Sequence, residues 1–579
     1  MPTIDRQTPM SAVLAQPDAA AILEARAPEV LDSPMISNLV EFPAGPLLRL
    51  ILGSDDPRVD EIVSAIGAFE DLSVQPPDDA AILPDPNYEA ESVDRSSATV
   101  EPPTAARVHE RCEIVLHGPS HGNPFVDVDV SARFQLHDVV ARAGGFYDGD
   151  GMYRVRFLPP EPGAWEFVIE SNARSLDGIA GSFDVAASDA PGPVRADGLG
   201  FTRPNGTPFI PIGTTAYAWT HQDESLQEET LRSLASAPFN KLRMCLFPKS
   251  FMYNSNEPNH FVFPTGDDGG WDTTRFDLDY FAHLETRIED LASRGIEADL
   301  ILFHPYDRWG FAALGAAADD RYVSYVVRRL SAFPNVWWSI ANEYDLLAAK
   351  RAGDWDRLAG LVQANDPVGH PLSIHNWLEV FDYSKPWATH CSLQRGEVTI
   401  GASIAGWRKQ WGKPVVVDEF GYEGDLDQGW GNLTAEEVVQ RFWDGTVHGG
   451  YLTHGETYYS ADEVIWWSKG GTFQGESQAR LSFLRDIVAA SPTGRLEPLL
   501  GDWDCPWGGV AERYVLMYFG SHRPAFRDVK IPEGMTARID VIDTWNMTVA
   551  EMPGEHAGTV RVELPARPYT AIRLRAVEL

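Results

Sequence analysis

Two apolar runs in this 579-residue sequence end in glutamate. One reads Trp337-Trp338-Ser339-Ile340-Ala341-Asn342-Glu343, the other Val415-Val416-Val417-Asp418-Glu419-Phe420-Gly421. Short, continuous apolar runs are the pattern of strands buried on both faces of a parallel sheet. A carboxyl group at the end of such a strand stands at the rim of the sheet. Two of them facing one another can divide acid and nucleophile chemistry. One keeps a proton for a leaving oxygen, and the other stays ionised and attacks carbon. Cleavage of a glycosidic bond requires that division. A gap of about 5–5.5 Å allows direct attack, a covalent intermediate and retention of configuration. The donor's pKa is high while its partner is charged and falls once the glycosyl ester neutralises that partner. Side chains alternate along a strand. Ser339, Ala341 and Glu343 are therefore expected on one face and Val415, Val417 and Glu419 on another, each face directed inward.

The elements that would hold these residues alternate between strand and helix. Strand-like runs fall at 209–215, 239–247, 296–303, 336–341, 371–376, 387–393, 414–418 and 451–458, with helical patterns between them. The helix over 277–294, for example, places Phe281, Leu284, Ile288 and Leu291 on one side. Eight such units between residues 195 and 490 predict a (β/α)8 TIM barrel, whose chemistry lies at the carboxyl ends of its strands. No Gly-rich phosphate loop follows the first strand, which argues against a doubly wound sheet.

Period-two alternation over 107–187, as in Val126, Val128, Val130, Ala132 and Phe134, predicts an Ig-like β-sandwich. Residues 500–579 predict a second, C-terminal β-sandwich. Both sandwiches are expected chiefly to buttress the barrel. The chain begins with a helical segment over 1–73, in which Asp56-Pro57 opens a helix. Residues 74–106, rich in Pro, Asp, Ser and Ala, read as a linker.

At the two glutamates the chain resembles glycoside hydrolase clan A, in which the acid/base follows an Asn at the end of strand four and the nucleophile ends strand seven. Gly145-Phe146-Tyr147-Asp148-Gly149-Asp150, Gly213-Thr214-Thr215-Ala216-Tyr217-Ala218-Trp219 and Ile542-Asp543-Thr544-Trp545-Asn546-Met547 resemble segments of multidomain glycosidases with apiosidase-like barrels. The resemblance spans about residues 107–579. It implies that Glu343 is the acid/base and Glu419 the nucleophile of a retaining enzyme. It also implies that Asn342 donates to a hydroxyl beside the anomeric centre, which requires a local bulge, and that Arg243 supports the nucleophile by charge. The clan usually carries an aromatic hydroxyl or His near strand six touching the nucleophile, and no clear Tyr stands there in this sequence.

Other residues near strand ends are candidate substrate contacts: His304, Asp307, His375, His390, Gln394 and Tyr217. Trp219, Trp309, Trp377 and Trp466 are candidate stacking platforms for sugar rings. Glu456, after strand eight, is the rival carboxylate, expected to bind a hydroxyl or partner base. A metal-dependent hydrolase using His304, Asp307, His375 and His390 is an alternative, as is a non-catalytic carbohydrate-binding protein. The first reading needs no metal or cofactor.

The formal charge of −37 excludes nucleic acid and anionic membranes as expected partners. The four cysteines are scattered without metal-ligand spacing. Met1 to Arg26 lacks the pattern of a signal peptide, so the expectation is a cytoplasmic enzyme acting on small glycosides or oligosaccharides. The N-terminal helices could also mediate a homo-oligomer.

Overall fold

A computed structural model describes residues 3–33, 36, 40, 42–53, 55–71 and 82–577. Its centre is a parallel barrel. The strands, in chain order, are Gly213–Thr215, Lys241–Cys245, Glu297–Phe303, Val336–Ala341, Leu372–Ser373, Cys391–Gln394, Val415–Glu419 and Tyr451–His454. Each pairs in parallel with its neighbours, and the first pairs with the eighth. A single parallel bridge between His375 and Ser392 closes the ring between strands five and six.

The barrel interior departs from the expected alternation on strand seven. Val415 and Val417 pack outward with Ile404, Val438 and Phe442 of the helical layer. Val416 instead points inward, among Phe201, Trp337 and Tyr451 at the floor of the barrel. Asp418 also points inward. The cause is a register shift: Leu393 pairs with Val417, whereas Gln394 pairs with Glu419. This irregularity lets Asp418 and Glu419, adjacent in sequence, both face the interior.

Above the floor the interior is charged. Lys241 Nζ lies 2.6 Å from Asp299 Oδ2 and 2.8 Å from Asp418 Oδ1. Arg243 Nη1 lies 2.9 Å from Asp418 Oδ2. Ser392 and Thr453 hydroxyls donate to the same carboxylate at 2.6 and 2.7 Å. Buried charges are tolerated only when paired and hydrogen-bonded in this way.

The N-terminal β-sandwich is built on antiparallel strands such as Val130–Leu136, Val139–Tyr147 and Gly163–Ser171. It extends further back than the sequence pattern suggests. Thr99–Glu101 pairs with Cys112–His117, and Tyr88 enters the sandwich core. The segment expected to be a linker is therefore partly structural, while residues 72–81 lie outside the described residues. Arg156, against Glu285 at 2.8 Å, and Arg329, against Asp148 at 2.6 Å, lock this sandwich to the barrel helices. The C-terminal sandwich packs on the other side, where the Tyr514 hydroxyl donates to the Ile487 carbonyl at 2.6 Å.

The N-terminal helices, including Pro17–Arg26, Ala44–Leu52 and Arg58–Ile66, form a small core of their own. The Asp56 carboxylate accepts from the Arg58 amide at 2.9 Å, the expected helix opening. Among the described residues no helix is long and apolar enough to cross a membrane.

Candidate active site

Glu343 and Glu419 line one cavity of about 530 Å3 at the carboxyl end of the barrel, within the size range of small-ligand pockets. Glu343 is 4 % exposed and Glu419 9 %. Glu343 adopts φ 48° and ψ 55°, in the left-handed region. A non-glycine residue held there costs about 1–3 kcal/mol, and such strain concentrates at functional positions. The turn ends strand four at Ala341 and directs the glutamate into the cavity.

Each carboxylate has its own phenol. The Tyr217 hydroxyl donates to Glu419 Oε1, and the Tyr306 hydroxyl donates to Glu343 Oε2. Gln394, with its amide oriented to suit its neighbours, donates to Glu343 Oε1 at 3.1 Å and to the Asn376 carbonyl at 3.3 Å. Burial, followed by the charge of Glu419, pushes the Glu343 carboxyl up to about 8. The hydrogen bond from Tyr306 and the charge of Lys249 work in the opposite direction. Glu343 is thus protonated at neutral pH, as a donor to a leaving oxygen must be.

Lys249 binds the two phenols together. Its ammonium lies 4.2 Å from the Tyr217 ring centre, 4.5 Å from that of Tyr306 and 4.2 Å from that of Trp467. Such contacts strengthen when the cation is desolvated, and Lys249 is buried. Among the described residues its ammonium makes no ion pair.

Arg243 sits beneath the pair. Its Nη2 donates to Asn342 Oδ1 at 2.9 Å and its Nη1 to Ser392 Oγ at 3.2 Å. Its nearest charge is Asp418, and it makes no hydrogen bond to Glu419. Arg243 is therefore a strut between strand ends, and it acts on Glu419 through charge alone, without a hydrogen bond. Although burial works against the charge, Arg243 and Lys241 hold the Asp418 carboxyl well below the usual carboxylate range. The Asn342 carbonyl is committed to Arg243, and its amide nitrogen makes no hydrogen bond among the described residues.

The remaining candidates separate sharply. Gln394 and Trp377 line the cavity. His304 does not: its Nε2 lies 3.1 Å from the Phe247 carbonyl, and burial lowers its pKa to about 4. Asp307 spends its carboxylate on the amides of Trp309, Gly310 and Ala312, fixing its own turn. His375 is enclosed in the barrel wall, where burial first and then Arg243 keep its pKa well below the ordinary value. His390 stands at the start of strand six, against Phe201 and Trp337 at the barrel floor. These four residues do not converge into a metal-ligand set, which removes the basis of the metal-hydrolase alternative.

Trp219 is fully buried, with its indole directed at Met244 Sδ at 3.4 Å. Trp466 is buried and donates to Thr214 Oγ1 at 2.9 Å. Trp309 donates to Glu257 at 3.1 Å, outside the cavity wall. None of the three is a platform in this cavity. Glu456 accepts from the Gln474 and Gly475 amides at 2.8 and 3.1 Å and from the Gln478 side chain. It holds a loop and does not line the cavity, so the hydroxyl-binding role expected for it is corrected.

The sequence reading missed Tyr306, Lys249, Trp467, Trp430 and Tyr422. Trp467, Trp430 and Tyr422 line the cavity as an aromatic wall. The Tyr422 ring lies so close to Gly455 that a Cβ there would fall 2.4 Å from Tyr422 Cδ1.

A parallel barrel carrying two buried glutamates in one cavity at its mouth has the architecture of a glycoside hydrolase. Residues 196–503 match the family described as apiosidase-like, catalytic domain, and the chain belongs to that family. Residues 105–172 and 503–575 match two families of unknown function, DUF5060 and DUF5605. A structure from Bacteroides vulgatus ATCC 8482, assigned to the glycoside hydrolases, is 38 % identical with a TM-score of 0.77, covering 82 % of this chain and all of its own. A glycoside hydrolase family 5 structure from the same organism shares the fold at 16 % identity and a TM-score of 0.52, covering 67 % of this chain and 94 % of its own. No curated protein sequence matches the chain.

Proposed function

We propose that this protein is a retaining, exo-acting glycosidase for small glycosides or oligosaccharides, with Glu343 as acid/base and Glu419 as nucleophile. The observation that carries this reading is geometric: both carboxyls line one cavity, and each accepts a hydrogen bond from its own tyrosine hydroxyl. Burial and the charge of Glu419 hold the Glu343 proton to about pH 8. In the first step Glu419 attacks the anomeric carbon, and Glu343 passes its proton to the departing oxygen. The ester then removes the charge of Glu419, so the pKa of Glu343 falls and it can take a proton from water. That water cleaves the ester and restores the starting configuration. Tyr217, donating to Glu419, orients the nucleophile. In this reading Asn342, whose amide nitrogen makes no hydrogen bond among the described residues, donates to the hydroxyl beside the anomeric carbon.

The test is a chromogenic screen with α- and β-linked pentosides and hexosides of both ring sizes, apiosides included. On whichever glycoside is accepted, Glu343→Ala and Glu419→Ala should each lower turnover by several orders of magnitude. Azide should rescue Glu419→Gly and give a product of inverted configuration. Near-normal turnover of a poor leaving group by either alanine variant would overturn the assignment.

A further inference from the structure

The helices that precede the first sandwich lie before all three family matches, the earliest of which begins at residue 105. They nevertheless reach the active site. Gln7 is buried against the barrel: its Nε2 donates to the Tyr344 carbonyl at 3.0 Å, and its Oε1 accepts from the Trp355 indole at 2.9 Å. Arg351 donates to the Gln7 carbonyl at 2.6 Å. Arg6 and Arg49 both pair with the buried carboxylate of Glu379. Tyr344 directly follows Glu343, and Glu379 lies in the loop after strand five. The helical unit is therefore clamped to the two loops on the acid/base side of the site.

This docking brings Phe42 to the cavity. The Phe42 carbonyl accepts from the Met10 amide at 2.9 Å, which fixes the backbone just before the helix Ala44–Leu52. The ring is 36 % exposed and lines the same cavity as Glu343, Leu346 and Trp377. A proton donor stands beside the oxygen it protonates, so the leaving group must occupy the Glu343 side of the cavity. There the wall offers Phe42, Leu346 and Trp377.

We propose that the N-terminal helical unit supplies the outer wall of the leaving-group subsite, with Phe42 packing on the apolar face of a cyclic leaving group. The inference rests on the glycosidase reading above and adds a substrate preference to it. An apolar ring face is common to a sugar and an aryl aglycone, and both would be held by the same contact. A small leaving group would not reach Phe42. Selectivity for the leaving group then resides partly in a segment outside the barrel and outside the matched family regions.

The experiment uses the full chain and three substrates of the accepted glycone: its 4-nitrophenyl glycoside, a disaccharide bearing it at the non-reducing end, and its glycosyl fluoride. Phe42→Ala should lower kcat/KM about tenfold for at least one of the two ring-bearing substrates and leave the fluoride within about twofold. A larger loss on the disaccharide identifies a sugar as the natural occupant, and a larger loss on the nitrophenyl glycoside identifies an aromatic aglycone. Phe42→Trp should preserve the discrimination. Because the ring is partly exposed, its truncation empties no core. As a second variant, Glu379→Gln weakens the clamp and should reproduce the selective loss in milder form. Equal losses on all three substrates, or none, would overturn the wall assignment while leaving the glutamate pair intact. Failure of the wild-type chain to cleave any of the three would overturn both.

Discussion

Asn342 and Asp418, each one residue before a glutamate of the cavity, are joined by a single guanidinium. Arg243 holds Asn342 Oδ1 at 2.9 Å with one terminal nitrogen and Asp418 Oδ2 at 2.9 Å with the other. Strands four and seven are thus tied together directly beneath the residues that must face one another. Rigid placement of reacting groups supplies much of an enzyme's advantage. The cation that ties these strands also neutralises the buried Asp418.

Replacing Arg243 should therefore damage both stability and catalysis. Arg243→Met leaves Asp418 with Lys241 as its remaining close cation and releases Asn342. Breaking a buried pair costs about 3–5 kcal/mol, which should appear as a lower midpoint for barrel unfolding in urea. Activity of the folded fraction should also fall. An unchanged midpoint would contradict the strut role.

Tyr217→Phe removes the hydroxyl that donates to Glu419. A hydrogen bond to a charged group contributes about 1.5–3 kcal/mol, so kcat/KM should fall about 10- to 100-fold. Steady-state kinetics on the accepted glycoside would check this. A variant with wild-type kinetics would show that the nucleophile is oriented by something else.

The raised carboxyl of Glu343 sets a pH limb. The proposed mechanism needs its proton, and a pKa of about 8 keeps the group protonated below that pH. A plot of kcat/KM against pH should therefore decline as pH rises through about 8. The charge of Lys249 favours ionised Glu343, so Lys249→Met should move this limb to higher pH. Movement to lower pH would mean that Lys249 acts in another way.

The tryptophans should divide by location. Trp467→Ala and Trp377→Ala open the cavity wall and should raise KM. Trp219→Ala empties a fully buried site and should cost about 3–5 kcal/mol of stability. Trp309→Ala should leave kinetics unchanged. Comparing KM with thermal midpoints across the four variants would test the division.

The contrast among tryptophans shows how far the sequence could be read. Trp466 and Trp467 are neighbours, yet one donates to Thr214 in the barrel wall and the other faces the cavity. The sequence singles out Trp466 and passes over Trp467, and only the packing of the loop separates them. The barrel was legible because its central strands are continuous apolar runs and its two glutamates end strands at the expected places. Strand five is only Leu372–Ser373, too short to carry a pattern. The inward set on strand seven was misassigned because a register shift between Leu393 and Gln394 overrides simple alternation. A phenol does touch Glu419, but it comes from Tyr217 after strand one. Strand six supplies Gln394 to Glu343 instead. Phe42 could not be foreseen at the site, because its placement depends on ion pairs such as Arg6–Glu379 between residues hundreds of positions apart.

The division of labour between the glutamates is tested most directly by trapping the intermediate. A 2-deoxy-2-fluoro glycoside of the accepted sugar, with a good leaving group, slows both steps but hydrolysis of the ester most. Peptide mass spectrometry of the inactivated protein should then find one glycosyl unit on Glu419, with Glu343 unmodified. A label on Glu343 or Glu456, or turnover with inverted configuration and no label at all, would contradict the account.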